Sequence, residues 1–506
     1  MEPADIPWVV GPVVLPLVAA VLACLLRVRA GPAIGLITSL GIFLTVAGLS
    51  LQVLSLGPQR HELGGWEAPL GIELYADGLS VFMLLTTAIV GTAASAYAAG
   101  FFSREQREQG GRRRPGDYGD EKGSFWPLWM FLWAALNGMF LSADVFNLYV
   151  ALELLGISSA ALVALGKTRR AIAAGIRYLM VSLLGSLFYL LGVVLLYGAF
   201  GALSLEALGD LMAPVPAAYA AITLMTVGMV LKSALFPLHF WLPPAYVSSP
   251  APVSALLAGL GTKASFYLLV RLWFDVFPGA PTTVAAQMLG VLAAVGIVWG
   301  AVLALRQRRL KLLLAYSSVS QIGYLFLLFP LSATLGSEGF DAWSGGIYHA
   351  FSHAIAKASM FMAAGAIVVA LGHDEIGKMD GLFQHLPLSV ASLAVAGVTL
   401  MGLPPSGGFT AKWLLLGAAM EGGHWGLAVV ILAGGLLAAG YLLVFLNRAL
   451  LTAPAKKLAR PAPRGLEVTA FVLALLSLSL GLLSDPLLDL LRVGAPFPAE
   501  LVTGIV

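Results

Sequence analysis

Seven ionisable side chains lie inside long apolar stretches of the sequence, where few charged residues are expected. They are Glu153, Lys232, Lys263, His349, His353, Lys357 and Lys412. A charge at the centre of a bilayer costs on the order of 3 kcal/mol even on the mildest scale, so such residues face a partner or a water-filled cavity. Acids, lysines and histidines in such positions are typical of proton relays, and proton transfer is the chemistry that we expect.

Glu153 lies within the apolar run 149–155, and no nearby residue in the sequence neutralises it. We expect a cation from another helix, and Lys232 is the predicted partner. In a low dielectric each charge sets the pKa of the other, so the pair would exchange or store a proton. A static structural ion pair is the alternative. Asp144 points to the opposite side of an ideal helix, and is interpreted as an interfacial or helix-start acid.

Lys263 lies mid-helix, too far from either end of its apolar run to reach water. It is predicted to be protonated reversibly; permanent pairing with an acid is the alternative. His349, His353 and Lys357 follow one another at steps of four. On a helix they lie within roughly 80° of one face and span about 12 Å, which favours a relay. Polar packing is the alternative, whereas haem would need ligands on opposite sides of its ring.

Lys412 completes the series of buried cations, and a polar helix is predicted to lie among them. That helix carries Tyr316, Ser317, Ser318, Ser320, Gln321 and Tyr324. Hydroxyls and amides of this kind can hold chains of water between titratable groups. Each one taken alone is better explained as polar packing between helices.

The elements that position these residues are predicted to be membrane-spanning helices. Hydrophobic residues make up 59% and charged residues 11% of the 506 residues, whereas soluble domains average about 25% charged residues. Windows of about 20 apolar residues predict an all-α polytopic membrane protein with about fourteen helices. The predicted spans are 7–26, 32–56, 78–102, 125–142, 144–166, 171–200, 217–247, 251–273, 282–305, 311–333, 343–371, 387–420, 424–450 and 466–487.

The charges between these spans alternate in sign, as the positive-inside rule requires. Basic residues concentrate in every second loop: Arg27, Arg29, Arg104, Arg107, Arg112, Arg113, Arg114, Lys122, Lys167, Arg169, Arg170, Arg306, Arg308, Arg309, Lys311, Lys378, Arg448, Lys456, Lys457, Arg460 and Arg464. The opposite loops carry Arg60 and mainly acids: Glu62, Glu67, Glu73, Glu206, Asp210, Glu338, Asp341 and Glu421. The basic loops are predicted to face the cytoplasm, and both termini the outer side.

Two predicted spans contain helix breakers beside a lysine. The seventh reads 231–239 with Pro237 and His239 after Lys232, and the twelfth reads 402–409 with Pro404 and Pro405 before Lys412. Proline removes a backbone donor, and membranes tolerate such breaks only where protein or water satisfies the backbone. Because the breaks are five helices apart, helices four to eight and nine to thirteen are predicted to be inverted repeats. Two unrelated packing kinks are the alternative.

The rest of the sequence narrows the function by what it lacks. Cys24 is the single cysteine, which excludes an internal disulfide and cysteine-ligated metal or iron–sulfur sites within the chain. The net charge of +3 gives no indication of nucleic-acid binding. The leader is acidic, so the first apolar run is expected to be a retained helix. The hydrophilic stretch 103–124 is predicted to be a disordered loop rather than a binding element.

Several segments resemble the antiporter-like proton-transporting membrane subunits shared by respiratory complex I, membrane-bound hydrogenases and Mrp-type cation/proton antiporters. The resemblance is strongest in 144–153, in 231–260 with its PLHFWLP core, in 312–324 and in 402–405. Within that superfamily, the acid-rich Gly64-Gly65-Trp66 stretch, Lys263, Lys357 and Lys412 make the chain most similar to the D subunits of Mrp-type antiporters. The resemblance implies that Glu153 and Lys232 are the coupling pair and that Lys412 is the outlet.

The predicted function is proton translocation within a multisubunit Na+/H+ antiporter of the bacterial inner membrane. Expected partners are other membrane subunits, protons, Na+ and the bilayer, with no metal, cofactor, redox or hydrolytic site in this chain. The predicted regions are 1–124, the repeats 125–273 and 282–450, and 451–506. A proton-pumping subunit of a complex I or membrane-bound hydrogenase type redox complex is the close alternative, and a structural membrane scaffold is the distant one.

Overall fold

The computed structural model describes residues 8–26, 30–65, 71–108, 119–277, 283–452, 458–461 and 464–498. The chain is mainly helical within these ranges. The α-helices are α1 (Gly11–Leu26), α2 (Gly31–Leu56), α3 (Gly78–Glu108), α4 (Gly119–Leu141), α5 (Val145–Ala164), α6 (Arg169–Phe200), α7 (Leu205–Leu211), α8 (Pro216–Lys232), α9 (Leu242–Ser248), α10 (Ala251–Leu256), α11 (Thr262–Arg271), α12 (Thr283–Leu305), α13 (Leu310–Phe326), α14 (Leu328–Leu335), α15 (Phe340–Leu371), α16 (Pro387–Met401), α17 (Gly407–Glu421), α18 (Trp425–Leu450), α19 (Arg464–Ser479) and α20 (Ser484–Arg492).

The membrane-spanning character of the chain is confirmed. Eleven helical segments of the described residues are long and apolar enough to cross a bilayer. Three further apolar helices, α1, α8 and α16, are shorter. Two central elements, 251–276 and α15, are buried among other helices along most of their length, as is the segment 310–338 beside them. The chain is therefore a multi-pass membrane protein with its polar residues concentrated around these two central elements.

The all-α prediction is wrong in one place. Strand β1 (Gln59–Leu63) pairs antiparallel with β2 (Ile72–Ala76), with Gln59 opposite Ala76. The strands alternate between more and less exposed side chains, and Gly64 and Gly65 adopt positive φ angles of 78° and 71° where the chain turns. A short amphipathic hairpin outside the bilayer carries no signal in a search for 20-residue apolar windows.

Both predicted helix breaks are present. The first break, residues 233–241, separates α8 from α9, and the second break, residues 402–406, separates α16 from α17. In the first break, Trp241 Nε1 donates to the carbonyl oxygen of Leu231 at 3.1 Å, which satisfies one of the backbone groups that the break frees. In the second break, Ser406 caps α17 by accepting from the backbone N–H of Phe409 at 3.2 Å.

The structure also contains helix interruptions that were not predicted. π-helical segments, Leu257–Gly261 and Leu272–Val276, flank α11 inside the predicted eighth span. The predicted tenth span divides between α13 and α14 at Leu327. Part of the stretch 103–124, which was predicted to be a loop, is helical, because α3 continues to Glu108 and α4 begins at Gly119. Its residues 109–118, together with Arg27, Arg29, Trp66, Lys456 and Lys457, lie outside the described residues.

The loops predicted to share one side of the membrane contact one another. At the end of the bundle that we call the basic face, the loops 306–309 and 372–386 meet the end of α18. Arg309 Nε lies 2.9 Å from Asp374 Oδ1, and Arg448 Nη1 lies 3.4 Å from Asp380 Oδ1. At the opposite end, the acidic face, Arg60 contacts Glu73 at 3.0 Å and Glu206 at 2.7 Å. The alternation of charge along the sequence thus corresponds to two faces of the fold.

Candidate functional site

Lys232 is the last residue of α8, and its ammonium group is held by hydroxyls of α6. Only 6% of Lys232 is exposed. Its Nζ donates to Ser186 Oγ at 2.8 Å and to Ser182 Oγ at 2.9 Å, with a longer contact to the carbonyl oxygen of Ser182 at 3.3 Å. With the carbonyl oxygen of Leu152 at 3.5 Å, four polar acceptors replace water around a cation that the apolar helices would otherwise exclude.

A glycine provides the space for this lysine. A Cβ atom on Gly185 would lie 2.6 Å from Lys232 Cγ and 2.9 Å from the carbonyl oxygen of Gly228. Because α6 has no side chain there, α8 packs against it and the Lys232 stem runs through the gap. Lys232 is therefore positioned by the close approach of two helices.

Glu153 lies near Lys232 without touching it. The charge of Glu153 acts on Lys232, but no hydrogen bond or ion pair joins the two in the described structure. Glu153 Oε1 is buried and has no hydrogen-bond partner among the described residues. The predicted pair is thus close enough to interact electrostatically, while the serine hydroxyls make the direct contacts.

Asp144 has a different position from Glu153. It is the N-cap residue of α5, and its Oδ1 accepts from the backbone N–H groups of Phe146 at 2.7 Å and Asn147 at 2.8 Å. This carboxylate oxygen is therefore hydrogen-bonded to backbone N–H groups that would otherwise be unpaired in the first turn of the helix. The structure therefore places Asp144 at the acidic face, away from the buried lysines.

A small cavity extends from Lys232 towards α11. Its lining includes Ser182, Tyr178, Gly261 and Ser265. The cavity holds about 10 Å³, which is close to the room that the centre of a single water molecule requires. The Lys232 site and the helix that carries Lys263 are therefore adjacent and are separated by a space of molecular size.

Lys263 lies at the start of α11, directly after a π-helical segment. Only 1% of the residue is exposed, and its Nζ donates to the carbonyl oxygen of Ala258. Ala258 belongs to the π-helical segment Leu257–Gly261. Because π-helical turns do not keep the regular i to i−4 bonding, they free backbone groups for such contacts, often at functional sites.

The histidines of α15 form the centre of the series. The rings of His349 and His353 are stacked, with centroids 5.8 Å apart and planes inclined by 10°. All four ring nitrogens are buried and have no hydrogen-bond partner among the described residues. Buried polar atoms are nearly always paired with protein or water, so this is a place where water is expected to bind.

Lys357 continues the same face of α15 towards the basic face. Its Nζ donates to Ser317 Oγ and, at 3.1 Å, to the carbonyl oxygen of Leu314. Both acceptors belong to α13, the helix with the predicted polar series. Ser318 Oγ also donates to the Leu314 carbonyl oxygen, at 3.1 Å.

Lys412 lies in α17, after the second break. Its Nζ donates to the carbonyl oxygens of Leu400 at 2.6 Å and Met401 at 3.4 Å, which the break leaves free at the end of α16. The ammonium group also lies 4.2 Å from the centroid of the Tyr324 ring. That ring in turn lies 5.2 Å from the ring of His349, which connects Lys412 to the histidine pair.

Electrostatic interactions join these residues into one group. The charge of Lys263 acts on His349, His353 and Lys357, and the charge of Lys412 acts on both histidines. The structure therefore brings Lys263, the α15 residues and Lys412 together, and places Lys232 and Glu153 beside them.

The remaining predicted residues lie around this group. Gln321 Nε2 is 3.3 Å from the carbonyl oxygen of Leu400 and 3.5 Å from Tyr441 Oη, while its Oε1 is buried without a partner in the described structure. Tyr316 is only half-buried and lies outside the group. His239 stacks on Phe236 within the first break, at 5.8 Å.

Sequence reasoning missed several residues of the site. Ser182, Ser186 and Tyr441 hold predicted residues but were not predicted themselves. The spacing of four between Ser182 and Ser186 on an apolar helix was the available signal. Tyr441 stands alone in an apolar helix and gave none.

A buried ion pair near the acidic face was also missed. Arg271 Nη1 donates to Asp77 Oδ2 at 2.7 Å and to Asp275 Oδ2 at 2.9 Å, and its Nη2 donates to Ser80 Oγ at 2.9 Å. Tyr267 Oη accepts from Arg271 Nε at 3.0 Å. Steps of four along α11 connect Lys263, Tyr267 and Arg271, so the polar stripe of this helix ends in a closed network.

The described residues contain no group of three or more His, Cys, Asp or Glu side chains that could hold a metal ion. The central group comprises Lys263, His349, His353, Lys357 and Lys412, and its side chains are therefore ammonium groups and imidazoles. Such an arrangement repels metal cations rather than coordinating them.

Comparison with known proteins gives consistent matches. The profile of the NADH:quinone oxidoreductase/Mrp antiporter transmembrane family matches residues 142–438. The chain is 37% identical over 416 residues to the N subunit of the NADH-quinone oxidoreductase of Desulforudis audaxviator, covering 81% of this chain and 79% of that one. It is 32% identical over 401 residues to the D subunit of the Na(+)/H(+) antiporter of Alkalihalophilus pseudofirmus, covering 78% and 77%.

The fold is also similar to that of a solved structure. A chain of the Mrp complex from Dietzia sp. DQ12-45-1b superimposes with a TM-score of 0.85, covering 98% of this chain and 99% of that chain. The two sequences are 24% identical, so this match speaks for the fold alone.

Proposed function

Because the chain belongs to the NADH:quinone oxidoreductase/Mrp antiporter transmembrane family, we propose that it translocates protons as a subunit of a multisubunit Na+/H+ antiporter. One observation carries this proposal. Four buried lysines and two histidines lie beside one another, with unpaired buried polar atoms between them. Fully paired polar groups would suit a static scaffold, whereas unpaired ones between cations suit a hydrated path.

The proposed path runs from the Glu153 and Lys232 site through Lys263 and the histidines to Lys412. The cavity beside Lys232 supplies the first connection, and the stacked histidine rings supply the central one. Movement of Glu153 relative to Lys232 would change the field on the central group and hence its proton affinity. Tyr324 and Gln321 line the last part of the path, towards Lys412.

The proposal includes the finer features of the fold. The three shorter apolar helices would complete fourteen crossings, with α8–α9 and α16–α17 each forming one broken span. The regions 125–273 and 282–450 would then be inverted five-helix repeats, preceded by 1–124 and followed by 451–506. A lysine at each break and the contacts within each face of the bundle support this arrangement.

Similar proteins indicate the setting in which the chain works. A relative is named as a subunit of an Na+/H+ antiporter, and the structural neighbour is a chain of an Mrp complex. We therefore propose other membrane subunits as partners and the bacterial inner membrane as the location. The basic face would lie on the cytoplasmic side, in accordance with the positive-inside rule.

A specific observation favours a second candidate function. The relative with 37% identity is the N subunit of an NADH-quinone oxidoreductase. In that setting the same buried path would move protons when a partner subunit carries out redox chemistry. The two candidates differ in what drives the movement, so the driving reaction distinguishes them.

The test uses inside-out membrane vesicles that contain the whole complex with a Lys412→Ala or Glu153→Gln chain. We expect Na+-dependent proton movement to fall by at least ~10²-fold, which is the low end of what a positioned proton carrier contributes. The amount of assembled complex should remain unchanged. K+ replaces Na+ in a parallel assay, and NADH or reduced quinone donors test the redox candidate.

Trp413→Ala serves as the control variant, because this neighbour of Lys412 is 63% exposed and faces away from the path. It should transport at the normal rate. Normal transport by both Lys412→Ala and Glu153→Gln would refute the proposed path. Proton movement that ignores Na+ and K+ but follows quinone reduction would select the second candidate.

A further inference from the structure

The basic face contains a polar cavity that the path described above does not reach. The cavity measures about 800 Å³ and lies between the 306–309 loop, the 372–377 segment and the end of α18. Arg308, Arg309, His373, Asp374, Glu375 and Arg448 line it. A cavity of this size is open to water and ions on one side of the membrane.

Asp374 offers a free acceptor at the bottom of this cavity. Only 6% of the residue is exposed. Its Oδ1 accepts from Arg309 Nε at 2.9 Å, but its Oδ2 is buried and has no partner in the described part of the chain. A buried carboxylate oxygen without a partner is costly, so it is expected to bind a proton or water.

Glu375, the next residue, is a useful contrast. It is paired with Lys378 at 2.7 Å and is about half-exposed. The hydrogen bond from Lys378 and its charge lower the pKa of the Glu375 carboxyl. Glu375 is thus an ordinary surface carboxylate, whereas Asp374 is enclosed and half unpaired.

Lys311 lies behind Asp374, in the first turn of α13. The sequence places this lysine with the basic loop residues, but the structure leaves only 9% of it exposed. Its Nζ donates to the carbonyl oxygen of Ser249 at 3.1 Å, and its charge interacts with Asp374 and Arg309. Lys311 therefore lies between the cavity and the interior of the bundle.

The same helix leads from Lys311 to the central group. Ser318 lies seven residues further on, on the same face, and Ser317 accepts from Lys357. The distance along the helix from Lys311 to Ser317 is about 9 Å. One or two water molecules, or a swing of the lysine, would bridge part of that distance.

We propose that this cavity is the opening of the proton path at the basic face, where Asp374 captures or releases the proton and Lys311 connects it to Lys357. The inference rests on the proposed function, which it extends by naming the place where protons enter or leave. The proton passes between water in the cavity and Asp374 Oδ2, and then between Lys311 and the hydroxyls of α13. The transfer between Asp374 Oδ2 and Lys311 Nζ joins these two stages, and each transfer breaks one O–H or N–H bond as it forms the next.

The charges around Asp374 set the conditions for this opening. Arg309 binds its other oxygen, Lys311 faces it from α13, and Arg308, His373 and Arg448 share the cavity. The neighbours of the Asp374 carboxylate are therefore mostly cationic, and Coulomb attraction acts between them and it. Since His373 lines the same cavity, its contribution has to be separated from that of Asp374.

The test measures proton uptake from the basic face. Inside-out vesicles are loaded with Na+ and diluted into Na+-free medium, so that Na+ leaving the vesicle draws protons in. We expect Asp374→Asn to slow uptake about tenfold at neutral medium pH, since a charged cleft raises on-rates by roughly 10–10³. The deficit should shrink as the medium is acidified, and Asp374→Glu should restore uptake.

Three variants isolate this effect. Asp380→Asn removes the carboxylate of another Asp–Arg pair on the same face and should behave as the unaltered chain. Arg309→Gln breaks the ion pair but keeps the Asp374 carboxylate, so it should slow uptake less than Asp374→Asn. If Arg309→Gln and Asp374→Asn are equally impaired at every medium pH, Asp374 is only an anchor. His373→Gln should leave the pH profile in place.

A second measurement does not depend on transport. Lys311→Cys in a Cys24→Ser background should react with a charged, membrane-impermeant thiol reagent in inside-out vesicles but not in right-side-out vesicles. Absence of labelling in both would overturn the proposal. If Lys412→Ala stops transport while Asp374→Asn does not, the opening lies elsewhere and the proposed function stands; if neither variant has an effect, the proposed function fails first.

Discussion

Lys232 and Lys412 occupy comparable places beside the two helix breaks, yet their surroundings differ. Lys232 ends α8 before the first break and is held by two serine hydroxyls, with Glu153 nearby. Lys412 follows the second break and is held by the freed carbonyl oxygens of α16 and the Tyr324 ring. No carboxylate contacts Lys412 among the described residues.

The difference concerns the counter-charge in two regions, the first around Lys232 and the second around Lys412. The charge of Glu153 acts on Lys232, so removing the Lys232 charge leaves Glu153 uncompensated, whereas removing the Lys412 charge leaves no contacting carboxylate uncompensated among the described residues. The two lysines therefore differ in counter-charge: Glu153 lies near Lys232, whereas no carboxylate contacts Lys412 among the described residues. Variants that change one region in a way matched in the other test this comparison.

The largest effect is expected from replacing the glycines at which helices pack closely beside each lysine. A Cβ atom on Gly408 would overlap the backbone carbonyl oxygen of Thr399, whereas one on Gly185 would meet the Lys232 stem at 2.6 Å and the backbone carbonyl oxygen of Gly228 at 2.9 Å. Gly408→Ala should therefore cost more than the ~1–3 kcal/mol typical of overpacking. We expect most of the chain to be lost from purified membranes, with a smaller loss for Gly185→Ala.

Gly417 provides the control, because nothing lies within 4 Å of the Cβ atom that Gly417→Ala would add to the same helix. That variant should accumulate normally. Equal accumulation of Gly408→Ala and Gly417→Ala would show that the second break adapts more easily than its close packing indicates.

A smaller effect is expected from neutralising the first region. Lys232→Met removes the nearby cation from Glu153, which is half-buried with an enclosed Oε1. This should lower the amount of assembled complex up to several-fold, because removing one partner of a buried charge pair costs at most about 3–5 kcal/mol. The double variant Lys232→Met, Glu153→Gln should recover assembly but not transport. Thermal stability of the purified complex gives the coupling between the two sites.

Lys412→Met has no acid to leave uncompensated, so it should assemble normally by itself. If Lys232→Met and Lys412→Met reduce assembly equally, or if Glu153→Gln does not rescue Lys232→Met, Glu153 is not the counter-charge of Lys232. The distinction between a compensated and an uncompensated region would then be wrong.

The sequence predicted those parts of the site that are energetically unusual. Lysines, histidines and a glutamate in apolar helices are rare, and a proline in a membrane span is conspicuous, so each carries information by itself. For this reason both breaks, at Pro237 and at Pro404-Pro405, and the alternating loops were predicted with little ambiguity.

The features that were missed depend on tertiary packing. Serine in a membrane helix is common polar packing, so Ser182 and Ser186 became meaningful only when α6 and α8 placed them beside Lys232. Lys311 adjoins three loop arginines in sequence, so the sequence suggests an exposed position. Its burial becomes understandable only from the structure, in which its Nζ donates to the carbonyl oxygen of the distant Ser249. The pairing of Glu153 with Lys232 was predicted from charge alone, whereas in the structure serine hydroxyls make the direct contacts with Lys232.

The smallest effect is expected at Tyr324, whose ring has no counterpart at Lys232. A cation over an aromatic ring contributes about 0.5–2 kcal/mol, so Tyr324→Leu should reduce the transport rate roughly three- to tenfold per assembled complex. Tyr324→Phe keeps the ring and loses only the hydrogen bond from its hydroxyl to the Ile431 carbonyl oxygen at 2.9 Å, so its rate should stay close to normal.

Tyr189→Leu is the matched change in the first half, because the Tyr189 hydroxyl also donates to a backbone carbonyl oxygen, that of Val145 at 3.0 Å, without contacting a lysine. If Tyr324→Phe is impaired as much as Tyr324→Leu, the hydroxyl rather than the ring matters, and both lysines are held by ordinary hydrogen bonding.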